Sequence, residues 1–419
     1  MRIPAAFFVL LLFLLSAFSC HKNAAEDTKM RGPADSGEEI AVAAETDSAG
    51  EKKRAVYDLA VRIASALDDR QLAGQVIISG IDGRGQLTQD MRILLTECPA
   101  GGIMLFRYNL DAANDAIRDL INENVTLIES GAAVELPEKT VTAVTPFIAV
   151  DHEGETVNRF RKGVSYLPNA SSYWEMSGDK GVNAAFAQIT ADSYYAGKVI
   201  KDLGVNLNFA PVAEYLNENN SVFLQERSYG SDPAFVADAS AAFIAGMELA
   251  GLLCAVKHFP GSAGSDPHFF PSVLSGDRTA LAELIAPFES LIRDGCVRAV
   301  MVAHTSVPER DSANIASLSP AVMDEWLRQE LGFGGIIICD DFSMEAAGNT
   351  AENLRPQTAA VRSLAAGADM VLVWPPDLRR THREIQAALN DGRLSHERLR
   401  EAASRIIFEK IQTGLINGE

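Results

Sequence analysis

From Arg54 onward, short apolar runs alternate with longer stretches in which apolar residues recur at helical spacing. That alternation predicts a parallel sheet whose strands are joined by crossover helices. Eight runs stand out: Gln75–Ile81, Gly102–Phe106, Phe147–Asp151, Val205–Val212, Leu252–Phe259, Ala299–His304, Gly335–Asp340 and Met370–Trp374. Between them, Ala184–Leu203, Pro233–Ala250, Arg278–Arg293, Ser319–Leu331 and Leu354–Ala366 read as helices, several starting at Asp, Ser or Pro. A last amphipathic stretch, Ser395–Gln412, follows the eighth run. The segment Asn122–Thr145 mixes helical and turn signals and reads as a helix plus a surface loop. Eight strands with alternating helices favour a closed (β/α)8 barrel over an open doubly wound sheet.

The amino-terminal end breaks this pattern. Arg2 precedes an apolar run from Ile3 through Phe18 and then Ser19-Cys20, too short for a stable membrane span and ending in small residues, as signal peptides do. Ala17-Phe18-Ser19-Cys20 resembles a relaxed bacterial lipobox. In that reading residues 1–20 form the signal peptide and Cys20 carries a lipid anchor on the extracytoplasmic side of a membrane. An ordinary signal peptide and an uncleaved anchor are the alternatives. Residues 21–53 are rich in Ala, Glu, Asp, Ser and Gly, lack aromatic residues, and read as a flexible acidic tether. The catalytic domain is expected over 54–419.

The 419 residues are compatible with one barrel of roughly 250 residues or more plus insertions. Apolar residues at 47% can fill a sizeable core, and the net charge of −19 argues against nucleic acid as a partner, because phosphates would be repelled. Cys98, Cys254, Cys296 and Cys339 show no CxxC spacing, so neither a metal nor a necessary disulfide is expected, and no cofactor motif is present. The sequence is silent on oligomeric state.

In a barrel of this kind, catalytic groups stand at the carboxyl ends of the strands. Those ends carry Asp151-His152-Glu153, Lys257-His258, His304 and Asp340-Asp341, with Arg227 beyond the fourth run. Each has a plain structural explanation as well. Asp340-Asp341 suits a helix cap, Lys257-His258 a solvated loop, His304 a hydrogen-bonded core or rim residue, and Asp266 with His268 an Asx turn ahead of Pro271. Their joint placement at one rim favours a site.

Six blocks in order give the pattern a name. Lys257-His258-Phe259-Pro260-Gly261 with Asp266-Pro267-His268, and Gly332-Phe333-Gly334-Gly335 through Cys339-Asp340-Asp341-Phe342-Ser343-Met344, resemble the signature loop and nucleophile strand of family 3 glycoside hydrolases, β-N-acetylglucosaminidase branch. Val150-Asp151-His152-Glu153-Gly154 with Arg159, Asn206 to Val212, Glu226 to Gly230 and Ala316 to Ser319 are similar to further family blocks, and the resemblance covers Val56 to Gly414.

The resemblance implies a retaining β-N-acetylhexosaminidase acting on terminal N-acetylglucosamine of peptidoglycan- or chitin-type saccharides. Asp340 is then the nucleophile, His268 the acid/base and Asp266 the residue that orients it. Asp151, Arg159, Arg227, Lys257 and His258 would bind the sugar. Strand side chains alternate, so only one of Asp340 and Asp341 can face the barrel mouth; Asp341, with Met344, is expected to stand behind it. Other family 3 β-glycosidases such as a β-glucosidase, and a catalytically impaired sugar-binding lipoprotein, are the competing readings. The sequence departs from the family pattern at Glu155-Thr156, where Gly-Arg is usual, at Ser262-Ala263-Gly264 in a loop about two residues short, and at Pro267 in place of Ser.

Overall fold

The computed structural model describes the backbone from Ser36 onward, with residues 138–140, 162, 265, 268, 345, 346, 348–353 and 418–419 outside the described set, and side chains from Gly50. The expected signal peptide, Cys20 and His268 therefore lie outside the described residues.

Eight parallel strands close on themselves in sequence order. They are β1 (Ile77–Gly80), β2 (Gly102–Met104), β3 (Phe147–Val150), β4 (Leu207–Asn208), β5 (Leu253–Phe259), β6 (Ala299–Val302), β7 (Ile336–Cys339) and β8 (Met370–Val373). All of these strand residues are buried, as a sheet covered by side chains inside and helices outside requires. Each apolar run holds one strand. Most runs outlast their strands, and the residues that leave the ladder at the carboxyl ends form the rim.

Helices Val182–Asp202, Pro233–Leu249, Arg278–Arg293, Pro356–Ala366, Pro375–Asp391 and His396–Gln412 belong to the outer layer. Their starts follow local chemistry. Asp232, Asp277 and Ser395 accept first-turn N–H groups, and Pro233, Pro356 and Pro375 occupy positions where no N–H is needed. Ala321–Glu330 winds as a π-helix. One contiguous apolar core joins the strands to these helices.

Two expectations change. The segment read as a tether is helical from Ser36, within a helix spanning Ser36–Ala66, because the Ala and Glu that make it polar and aromatic-poor are also good helix formers. Asn122–Thr145 contributes most of helix Asn114–Ala132, then a two-stranded antiparallel pair, Val134–Glu135 with Val141–Thr142, instead of a plain loop. The β-branched Val134 and Thr142 suit that pairing. Residues Val56–Glu419 form one compact unit, and the described part of Met1–Ala55 is helical. Among the described residues no helix is long and apolar enough to cross a membrane.

The barrel is anchored at its amino-terminal end by Asp369, fully buried just before β8. Its carboxylate accepts from Arg328, from Arg398 at 3.0 Å, from Arg405 at 3.1 Å and from the Ile337 N–H at 2.9 Å. Burial raises the pKa of this group, but the arginines overcome it and hold Asp369 below the usual carboxylate range. The chemistry at the opposite rim is separated from this clamp by the length of the strands.

Candidate active site

Register decides which rim residues share the mouth. The Cys339 Sγ lies 2.7 Å from Ser363 Oγ on the outer helix Pro356–Ala366, so Cys339 faces outward and Asp340, next along, faces inward. Partners in a parallel ladder point the same way. Stepping through Ile338↔Met370, Ile78↔Leu372, Ile78↔Gly102, Gly102↔Phe147, Ala149↔Leu207, Leu207↔Leu253 and Ala255↔Ala299 carries the inward face around the barrel. The same alternation, continued to the carboxyl ends, turns Asp151, Lys257, Trp374 and Phe106 to the mouth. On β5 the register shifts between Val256 and Phe259, and both Lys257 and His258 join the cluster there.

Around β3 to β5 the side chains form a buried chain of alternating charge. Asp151 accepts from Arg159 Nη2 at 2.7 Å and Lys257 Nζ at 2.8 Å. Lys257 also pairs with Glu153 at 2.5 Å, and Glu153 takes Arg227 bidentately at 2.7 and 3.0 Å. Arg227 Nη2 lies 3.5 Å from His258 Nε2, with its guanidinium 4.9 Å above the Phe223 ring. His258 Nδ1 in turn lies 2.6 Å from Glu214, which also accepts the Ser262 N–H at 2.5 Å.

Burial raises the pKa of each carboxyl, and the neighbouring cations reverse that effect. Lys257 and Arg159 hold Asp151 well below the usual carboxylate range, Arg227 and Lys257 hold Glu153 at about 2, and the hydrogen bond from His258 lowers Glu214. Burial would discharge Lys257, but Asp151 and Glu153 raise its pKa instead. Asp151, Glu153, Glu214 and Lys257 are therefore ionised at neutral pH. The cluster presents fixed donors and acceptors, the equipment for gripping sugar hydroxyls.

Asp340 stands apart from these pairs. Its N–H donates to Val302 O at 3.1 Å, and its Oδ1 accepts the Asp341 N–H at 2.8 Å. Asp341 is engaged with Ser343, whose N–H and hydroxyl reach its two oxygens at 2.9 and 2.7 Å, and with Trp374 Nε1. Burial raises the Asp341 pKa. His304 is buried, with Nδ1 2.7 Å from Ser317 Oγ and Nε2 2.9 Å from the Asp341 carbonyl, so it pins the turn that follows β7. Met344 is buried in that turn, its N–H bonded to the Asp341 carbonyl at 3.1 Å.

The loop after β5 is tied at both ends. Ser262 bonds Glu214, the Gly264 N–H reaches Asn219 O at 2.7 Å, and Ser272–Val273 pairs in parallel with Thr305-Ser306. At its tip the Asp266 carbonyl accepts the Phe269 and Phe270 N–H groups at 3.0 and 3.1 Å. Asp266 thus sits in a tight turn. The Glu155-Thr156 departure also has a structural use. Thr156 Oγ1 and Asn169 both donate to Glu226, at 3.2 and 2.6 Å, joining the β3 loop to the segment that carries Arg227.

Sequence reasoning missed Glu214, passed over Glu153 within its motif, and left Phe106 and Trp374 unassigned. The same rule that found the others could have found them. Each stands at or just past the end of a strand or predicted run, where an acidic or aromatic residue is not needed for packing. Among the described residues no cluster of His, Cys, Asp or Glu could hold a metal ion.

His152 gives the site a pH signature. It is fully buried, its Nε2 lies 2.9 Å from Ser165 Oγ and its Nδ1 has no partner. Burial pushes its pKa down to about 4, against a smaller opposite pull from Glu153. The folded protein therefore keeps His152 neutral while the unfolded chain binds a proton below about pH 6.5. Its stabilising contribution, of the order of 3 kcal/mol, is full above pH 6.5 and is lost as pH falls to about 4. Urea denaturation from pH 7 to 4 should show a smaller loss of stability for His152→Gln than for the wild type; equal losses would contradict this.

Comparison with known proteins agrees with this geometry. The family profile described as "Glycosyl hydrolase family 3 N terminal domain" matches residues 68–408. A β-hexosaminidase of Methylococcus capsulatus is 35% identical over 296 residues, 69% of this chain and 79% of that protein. Among solved structures, a family 3 β-N-acetylglucosaminidase from Paenibacillus sp. aligns with a TM-score of 0.73 and 30% identity over 84% of this chain, which spans 63% of that enzyme's length. NagZ from Neisseria gonorrhoeae, solved with N-trifluoroacetyl-D-glucosamine, aligns with a TM-score of 0.65 and 28% identity, covering 80% of this chain and 89% of that one. The chain belongs to glycosyl hydrolase family 3, in its β-N-acetylglucosaminidase branch.

Proposed function

We propose that this glycoside hydrolase is a retaining β-N-acetylhexosaminidase that removes terminal β-linked N-acetylglucosamine from peptidoglycan- or chitin-type fragments, with Asp340 as its nucleophile. The observation that carries the assignment is the contrast among rim carboxylates. Asp151, Glu153 and Glu214 are committed to cations or to His258, and Asp341 to Ser343 and Trp374. Among the described residues Asp340 alone faces inward with its carboxylate held only by a backbone N–H. An attacking group needs that freedom.

In the first step an Asp340 oxygen bonds to the anomeric carbon as the glycosidic C–O bond breaks, and the leaving oxygen takes a proton from His268. In the second, His268 takes a proton from water, the water oxygen bonds to the anomeric carbon, and Asp340 is released as a carboxylate. The resemblance gives His268 this task, with Asp266 orienting its ring. Asp151, Arg159, Arg227, Lys257 and His258 grip the sugar, their network holding each donor in place. The name of the Methylococcus relative and the N-acylated glucosamine in the gonococcal structure support the choice of sugar.

Kinetics test both parts. The wild type should hydrolyse an aryl β-N-acetylglucosaminide with a higher kcat/KM than the matching β-glucoside, and Asp340→Asn should lose about a thousandfold or more in kcat. Faster turnover of the glucoside would point to a β-glucosidase. Sugar binding without turnover would point to an impaired, sugar-binding protein.

The leader at residues 1–20 further supports an extracytoplasmic enzyme held to a membrane through lipid on Cys20. Expression in a bacterial host should yield a membrane-bound, acylated protein, and Cys20→Ser a protein without acyl chains. Identical fractionation and mass for the two would overturn the anchor.

A further inference from the structure

Three aromatic rings stand on the arc of the rim that the ion network leaves unoccupied. Phe106 stacks on Trp374 with ring centroids 4.5 Å apart and planes 10° from parallel, and Tyr108 continues the stack at 6.1 Å and 8°. The Phe106–Trp374 contact spans β1, and this is possible because β1 ends there in a glycine. A Cβ on Gly80 would lie 3.2 Å from both Phe106 Cε2 and Pro375 Cδ. Trp374 is half-buried, and among the described residues Phe106 is its one ring partner, so part of the indole stays accessible at the rim. Its Nε1 donates to Asp341, the neighbour of Asp340.

Height along β8 separates Trp374 from the level of Asp340. Cys339 pairs with Val371, so Asp340 stands level with Leu372. Trp374 is the next inward residue on β8, about 6–7 Å nearer solvent. The glycone is gripped from β3 to β5, and the leaving group departs from the anomeric carbon on the other side of Asp340, outward. A flat aromatic face one inward step above the nucleophile's level matches a saccharide, which carries C–H groups on its ring faces.

Resting on the hexosaminidase reading above, we propose that Trp374, backed by Phe106, is the platform of a leaving-group subsite that takes a saccharide rather than a small aglycone. The indole face stacks on the departing sugar.

The test compares two substrates that share the glycone: N,N′-diacetylchitobiose, with a sugar leaving group, and N-acetyl-β-glucosaminyl azide, with a small one. Trp374→Phe and Trp374→Leu both remove the N–H to Asp341, but only the leucine removes the aromatic face. The ratio of kcat/KM, disaccharide over azide, should fall about tenfold in Trp374→Leu and stay within about twofold of the wild type in Trp374→Phe. Equal ratios in the two variants, whether reduced or unchanged, would overturn the subsite, leaving Trp374 as a positioning residue for Asp341 at most. A wild type that cleaves neither substrate would remove the hexosaminidase reading itself, and the subsite with it.

Discussion

A closed eight-stranded barrel admits to its mouth only every second residue of each strand, and the arrangement of this site follows from that constraint. Once Cys339 faces the outer helix, Asp340 must face inward. The ladders then carry the choice around the ring to Asp151, Lys257, Phe106 and Trp374. Gly80 on the same face leaves room for the aromatic stack. A slip of one residue on any strand would exchange a functional group for an apolar neighbour.

Within the mouth, electrostatics separates the residues proposed to grip the sugar from the one proposed to react. Lys257, buried between Asp151 and Glu153, is the hinge of the network. Taking its ammonium out of water costs several kcal/mol, and two carboxylates in contact offset that cost. Removing either would leave a buried charge short of its partner, typically a loss of about 3–5 kcal/mol. The residues of this network are thus fixed by mutual need. Asp340 carries no such obligation, and its neighbour Asp341 supports the turn with help from His304, Ser343 and Trp374.

Much of this was legible in the sequence. All eight strands lie in apolar runs, since a barrel strand is covered on both faces, and helix Arg278–Arg293 has the predicted limits because Asp277 caps it. The motif residues Asp151, Arg159, Arg227, Lys257 and His258 do meet. Glu214 was legible only as an acidic residue two positions past Val212; its contact with His258 was not, because it exists only where β4 and β5 are neighbours. The Phe106–Trp374 pair joins residues far apart in the chain through a barrel that closes β8 onto β1, which no local pattern encodes. Residues before Val56 misled because the composition that suits a tether suits a helix equally well.

The central claim is that Asp340 attacks the anomeric carbon. Mass spectrometry of the protein trapped with a 5-fluoro N-acetylglucosaminyl donor tests it most directly. The account predicts one sugar adduct on the peptide containing Asp340, with fragmentation placing it on that residue. An adduct on Asp341 or another rim carboxylate, or steady turnover of the donor by Asp340→Asn, would contradict it.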